Sequence, residues 1–126
     1  LSGTSVNFTM SLHTSAASAN ATNPVLSTYA SIANEVANGN GYTTGGKSVS
    51  GRTWAAGASA GVFRFDSTAV VWTATGGDIS NIKFAIIYQS GGKLVCYSKL
   101  TTSQFTLSED NTLTVTPSAN GIFELT

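Results

Sequence analysis

The stretch Ile79-Ser80-Asn81-Ile82-Lys83-Phe84-Ala85-Ile86-Ile87-Tyr88-Gln89-Ser90-Gly91-Gly92-Lys93-Leu94-Val95-Cys96-Tyr97-Ser98-Lys99-Leu100 decides how this sequence folds. Two β-rich runs flank Gly91-Gly92, a pair that tolerates the positive φ angles of a type I′ hairpin turn. With those glycines as the loop, Tyr88 faces Val95, Ile86 faces Tyr97 and Phe84 faces Lys99. Ala85, Ile87, Cys96, Ser98 and Leu100 take the other side, because side chains alternate along a strand. Both sides are apolar near the middle, which places the hairpin in the interior of a sheet rather than at its edge.

Moving outward, the same period-two reading recurs. Val6, Phe8, Met10 and Leu12 share one side of a half-buried strand over Ser5 to His13. Lys47 to Trp54 reads as an edge strand guarded by Lys47 and Arg52. Val62 to Phe65 and Ala69 to Ala74 form a strand broken at Asp66-Ser67, and Gly76-Gly77-Asp78 turns into the central hairpin. Gln104 to Leu107, Thr112 to Thr116 and Ile122 to Leu125 complete the set, with turns at Glu109 to Asn111 and Asn120-Gly121. Pro24 to Ala37 is the exception. Leu26, Tyr29, Ile32, Ala33 and Val36 stand at spacings of three and four, which fits a short amphipathic helix or a long ordered loop whose apolar residues plug one end of a sandwich. About eight strands with regular turns and no βαβ alternation predict an all-β fold: a single antiparallel β-sandwich domain over residues 1–126, jelly-roll-like or immunoglobulin-like, with at most one short helix.

Composition narrows the function classes. The chain has 126 residues, enough for one core without metal or disulfide support. Six basic and six acidic side chains cancel, and charged residues make up 10%. No basic stripe marks a nucleic-acid binder. No apolar run approaches the roughly 18 residues that span a membrane as a helix, and no signal peptide is visible. A neutral surface suits a protein held within an assembly. The single Cys96 forms no internal disulfide.

Catalytic and metal patterns are weak. His13 and Cys96 are too few for a zinc site, and no cofactor is expected. No Gly-x-Ser-x-Gly elbow before a helix accompanies the many serines. Glu35 and Asp66 lie beside apolar residues and are the acids most suited to burial, whereas Asp78, Glu109 and Asp110 sit in turns. Glu35 has two structural roles open to it: pairing with Arg52 or capping the Asn-Gly turns nearby. Gly41 to Ser48 spells Gly-x-x-x-x-Gly-Lys-Ser, but it follows turn residues rather than a strand and no helix pattern comes after it, so it is not read as a phosphate loop. Among the aromatics, Trp72, Phe84 and Tyr97 read as core, and loop-flanked Tyr42 and Trp54 as interface candidates.

The run Ser11-Leu-His-Thr-Ser-Ala-Ala-Ser-Ala-Asn-Ala21, then Tyr29, Asn34-Glu35-Val36 and Asn40-Gly41-Tyr42-Thr43-Thr44-Gly45-Gly46, resembles small virion structural proteins of tailed bacteriophages. Val71-Trp72-Thr73-Ala74 and Ala85-Ile86-Ile87-Tyr88 match two further strands of that group, so the resemblance covers nearly the whole chain. His13 stands where the group usually has another residue, often Tyr or Phe. The resemblance implies a non-enzymatic β-sandwich protein of the virion, assembled in the host bacterial cytoplasm. The expected role is capsid decoration or cement, with the major capsid protein, other virion proteins and further copies of itself as partners, and no nucleic acid or membrane. The segment Asn23 to Trp54 is expected to make the main contacts through Leu26, Tyr29, Ile32, Tyr42 and Trp54. The alternatives are a tail or head–tail connector component, a carbohydrate-binding module of a host-recognition fibre using Tyr42 and Trp54, and, last, a small hydrolase.

Overall fold

The computed structural model describes residues 7–14, 28–32, 34–57, 59–89, 91–118 and 121–125. Eleven strands run through them: β1 (Phe8–His13), β2 (Lys47–Ser48), β3 (Thr53–Ala56), β4 (Phe63–Asp66), β5 (Val70–Thr73), β6 (Ile79–Ile82), β7 (Phe84–Gln89), β8 (Leu94–Lys99), β9 (Phe105–Leu107), β10 (Thr112–Val115) and β11 (Phe123–Leu125). All pair antiparallel, in sheets ordered β2-β1-β7-β8, β10-β5, β11-β4-β3 and β6-β9.

The central hairpin forms, with one correction to its register. Phe84 faces Lys99 and Ile86 faces Tyr97, but Tyr88 faces Leu94 instead of Val95, across a bulge. The loop is longer than the two glycines: Gln89 N–H donates to the Lys93 carbonyl (2.9 Å) and Gly92 N–H to the Gln89 carbonyl (2.8 Å). The longer loop shifts the register, and the bulge at Val95 restores the pairing further down. Of the two hairpin strands only β7 is interior to the sheet. Its first four residues, Phe84 to Ile87, are all buried, whereas β8 ends the sheet and leaves Tyr97 42% exposed. Tyr97 is therefore not a core residue, because an edge strand has one neighbour to cover it.

Both faces of β7 are covered, which explains its apolar sequence. On one face Met10 pairs with Ile87 and Leu12 with Ala85. That face meets Phe65, Val70, Trp72, Ile79, Ile82 and Leu107 from the other three sheets in the main core. This packing of sheets across one core is sandwich-like. On the other face Ile86 and Leu94 pack with Ile32, with Tyr88 against them. The cover here is irregular chain, and the helical segment among the described residues is a single 3₁₀ turn at Tyr29–Ser31. Where it can be seen, the Pro24 to Ala37 stretch follows the ordered-loop reading; residues 24–27 and Ala33 lie outside the described residues.

Lys47 to Trp54 is not one strand. β2 pairs with β1, and β3 pairs with β4 in a different sheet. Gly51, at φ +59°, lies between them and lets the chain leave one sheet for the other.

Candidate functional site

The residues from Asn34 to Gly46 form a pinned surface segment. Its turns need left-handed backbone: Asn34 and Asn40 have φ of +60° and +55°, Gly45 and Gly46 of +98° and +85°. Asn tolerates this region better than other side chains, and glycine adopts it freely. Gly46 also lies against β1, where a Cβ would drive into the Met10 carbonyl oxygen. Asn38 Oδ1 accepts the Thr44 N–H (3.0 Å) and closes the outer turn.

Glu35 is the hub of the segment. Its Oε1 accepts the Tyr42 hydroxyl (2.6 Å) and the Gly45 N–H (2.7 Å), and its Oε2 accepts the Tyr29 hydroxyl. The Tyr42 oxygen also accepts the Leu12 N–H (3.0 Å). It thereby completes the β1 edge between β2 and the His13–Glu35 bridge, where Val36 N–H donates to the Leu12 carbonyl (3.0 Å). Tyr88 donates to the Gly45 carbonyl (2.6 Å) and stacks on Tyr29 at 4.4 Å. Glu35 does cap a turn, though at Gly45 rather than at the Asn-Gly pairs. The Arg52 guanidinium lies over the Phe8 ring, 5.6 Å from its centre.

Electrostatics follow from this packing. Burial pushes the Tyr42 and Tyr29 phenols well above their ordinary range, and the bond each gives to Glu35 adds to the shift. Burial also raises Tyr88. The Cys96 thiol is pushed up to about 11 by burial alone, which leaves little of the nucleophilic thiolate at neutral pH.

One arrangement has the outline of chemistry. Ser11 Oγ lies 2.8 Å from His13 Nε2. Both residues are fully buried, paired with Ile86 and Phe84 of β7. His13 is the last residue of β1 and is buried there. Among the described residues, no group of three or more His, Cys, Asp and Glu is placed to hold a metal.

The expected contact residues divide sharply. Leu26 lies outside the described residues. Ile32 and Tyr42 are 7% and 2% exposed and belong to the interior; the Tyr42 hydroxyl is spent on Glu35 and Leu12. Tyr29 is half-buried on Tyr88. Trp54 is 36% exposed and has a neighbour that sequence reading missed, Phe63, at 49%. Their rings are parallel within 1° with centres 6.4 Å apart. Alternation puts Phe63 on the same face as the fully buried Phe65; only its place at the start of β4, next to the Ser59–Val62 turn, exposes it.

Two cavities adjoin these elements. One of about 360 Å³ is lined by Met10, Ile87, Cys96, Val115 and Pro117, and one of about 310 Å³ by Glu35, Asn38, Asn40, Asp78 and Asn81. Compared with protein-family models, with curated proteins and with solved structures, the chain matches none.

Proposed function

We propose that this chain is a structural component of a tailed-phage virion, a capsid decoration or cement protein that stabilises the shell by binding between capsid subunits. In this reading no bond is made or broken. The observation that carries it beyond the sequence resemblance is a division of labour. The polar groups best suited to chemistry are turned onto one another, Ser11 onto His13 inside the fold and half-buried Glu35 onto Tyr42. The apolar surface is offered outward by Trp54 and Phe63 on β3 and β4. Exposed aromatics bring large contact area at little entropic cost, and the neutral chain adds no net repulsion to a crowded lattice. A modest contact per copy then suffices, since many copies share the shell.

Counting copies in purified particles tests the role. Hundreds per particle agree with decoration; about a dozen or fewer favour a connector or tail ring of cyclic symmetry. A particle without the protein contradicts the virion reading altogether.

A second reading has one observation in its favour. The parallel Trp54 and Phe63 rings form a surface on which a sugar ring can stack. Tryptophan fluorescence titrated with host surface polysaccharide separates it from decoration: a saturable change that Trp54→Ala removes supports a carbohydrate module.

A further inference from the structure

From Ile79 onward the charges of this neutral chain are segregated. Between Ile79 and Ser108 the sequence holds Lys83, Lys93 and Lys99 and no acid; beyond Ser108 it holds Glu109, Asp110 and Glu124 and no base. The β6–β9 ribbon sets part of this pattern in space. Ile79 pairs with Leu107 at one end and Ile82 with Phe105 at the other. Asp78, Glu109 and Asp110 stand exposed at the Ile79 end, where Asp78 Oδ1 accepts the Glu109 N–H (2.9 Å) and ties the two turns together. Lys83 follows the Ile82 end, and its carbonyl accepts the Leu100 N–H (2.8 Å), which brings the end of β8 alongside.

The basic end is also aromatic. Lys83 Nζ lies 5.5 Å from the centre of the Phe84 ring, Lys99 is paired across from Phe84, and the exposed Tyr97 ring sits 6.3 Å from Phe84. An accessible aromatic with a charged rim is the anatomy of a protein contact. Asp78 and Lys83 are five residues apart, with a bulge at left-handed Asn81 that makes Ile79 to Ile82 span only the two steps from Phe105 to Leu107, so the separation along the ribbon is roughly 13 Å at about 3.3 Å per step. That exceeds the ~8 Å screening length at physiological salt, so the two ends do not neutralise each other within one molecule.

We propose that copies of this chain associate head to tail, the Lys83–Tyr97–Lys99 surface of one docking on the Asp78–Glu109–Asp110 turn of the next. Self-pairing of either surface brings like charges together, whereas each complements the other. A contact between two different surfaces of one protein is heterologous and builds a ring when its rotation closes. The second copy is favoured over a polyanion because two lysines make too small a basic patch to track a phosphate backbone, whereas the acidic turn offers a complement of matching size. This inference stands on the charge map and not on the virion reading. Self-association of the isolated protein and its occupancy on particles are separate results, and either can fail alone.

Sedimentation velocity on the isolated chain tests it, with two charge-altered variants, Lys83→Glu/Lys99→Glu and Glu109→Lys/Asp110→Asn. Asn suits the left-handed backbone at Asp110 (φ +67°). In low salt the wild type is expected to associate, and 0.5 M salt to weaken this at least tenfold. Each variant alone should associate at least tenfold more weakly, and the equimolar mixture should recover association, because each supplies the charge the other lacks. Tyr97→Ala should weaken association with melting temperature unchanged. If Lys83→Glu/Lys99→Glu melts early, Lys83→Gln/Lys99→Gln takes its place. A wild type that stays monomeric at millimolar concentration in low salt overturns the proposal, as does a mixture that stays monomeric. Binding of a labelled single-stranded oligonucleotide through the lysines, without self-association, overturns it in favour of a polyanion.

Discussion

Tyr29, Tyr42 and Tyr88 on one side, and Trp54 and Phe63 on the other, are aromatic groups of similar size with opposite uses. The tyrosines close around Glu35 and spend their hydroxyls on the chain itself. Trp54 and Phe63 lie parallel at the surface and leave area uncovered. The difference lies in what backbone needs each group meets. At Leu12 the β1 edge has an N–H that no strand serves, and a phenol can accept it where an indole or phenyl ring cannot. An aromatic flanked by loops is therefore not by that fact a surface residue.

The comparison can be broken first at the backbone that holds the tyrosine side in place. Gly46→Ala is expected to cost about 3 kcal/mol or more in urea unfolding, because the position is left-handed and a Cβ has no room beside Met10. Gly61→Ala, at φ +80° but with open space around it, should cost only about 1 kcal/mol. Equal losses at the two sites would show that Gly46 is merely another turn.

Next in size is Tyr42→Phe, which leaves the buried Leu12 N–H without its acceptor and removes a donor from Glu35. About 2 kcal/mol of stability should go. Combining it with Glu35→Gln should cost less than the sum of the singles, since both act in one network.

The regular parts of this fold were legible in the sequence because period two is a strong signal. β1 and β10 follow from alternation, and the β7–β8 hairpin from two β-rich runs about a Gly-Gly turn. The bulge at Val95 was not legible, since it depends on a loop one cannot size from a Gly-Gly pair. The split of Lys47 to Trp54 between two sheets was hidden for a similar reason: Gly51 permits a change of sheet but does not announce it. The site was legible only in part. Asn34-Glu35-Val36 and Gly41 to Gly46 could be marked as a signature, yet Glu35 as a hub requires Tyr29, Tyr42 and Gly45 to converge in space. Tyr42 misled because its neighbours are all turn residues, and Phe63 was missed because strand parity cannot tell Phe63 from Phe65.

A gentler probe of the inward group is alkaline pH. Tyr42 and Tyr29 hold their protons more tightly folded than unfolded, chiefly through burial and then through Glu35. The unfolded chain releases these protons first, near the ordinary tyrosine value of about 10, so it binds fewer protons than the native state above that pH. Stability is then fully present below about pH 10 and falls as pH rises further, by up to about 1.4 kcal/mol per pH unit for Tyr42 and by less for Tyr29, which water screens more. Urea midpoints between pH 8 and 11 measure this, and Tyr42→Phe should flatten the fall. A midpoint that stays level through pH 11 in the wild type would detach the phenols from the fold.

The smallest change in stability belongs to the outward pair. Trp54→Thr and Phe63→Ser, both at exposed strand positions, should together cost no more than about 1 kcal/mol. A larger loss would place the pair with the tyrosines, as part of the interior.

The most direct measurement is occupancy on particles. Purified virions carrying wild type, Trp54→Thr/Phe63→Ser or Tyr42→Phe are compared for bound protein below the melting temperature of each. The account predicts that the outward double variant is folded yet lost from particles, while Tyr42→Phe, though less stable, stays bound. Full occupancy by the outward variant, with loss of the Tyr42→Phe protein, would contradict it.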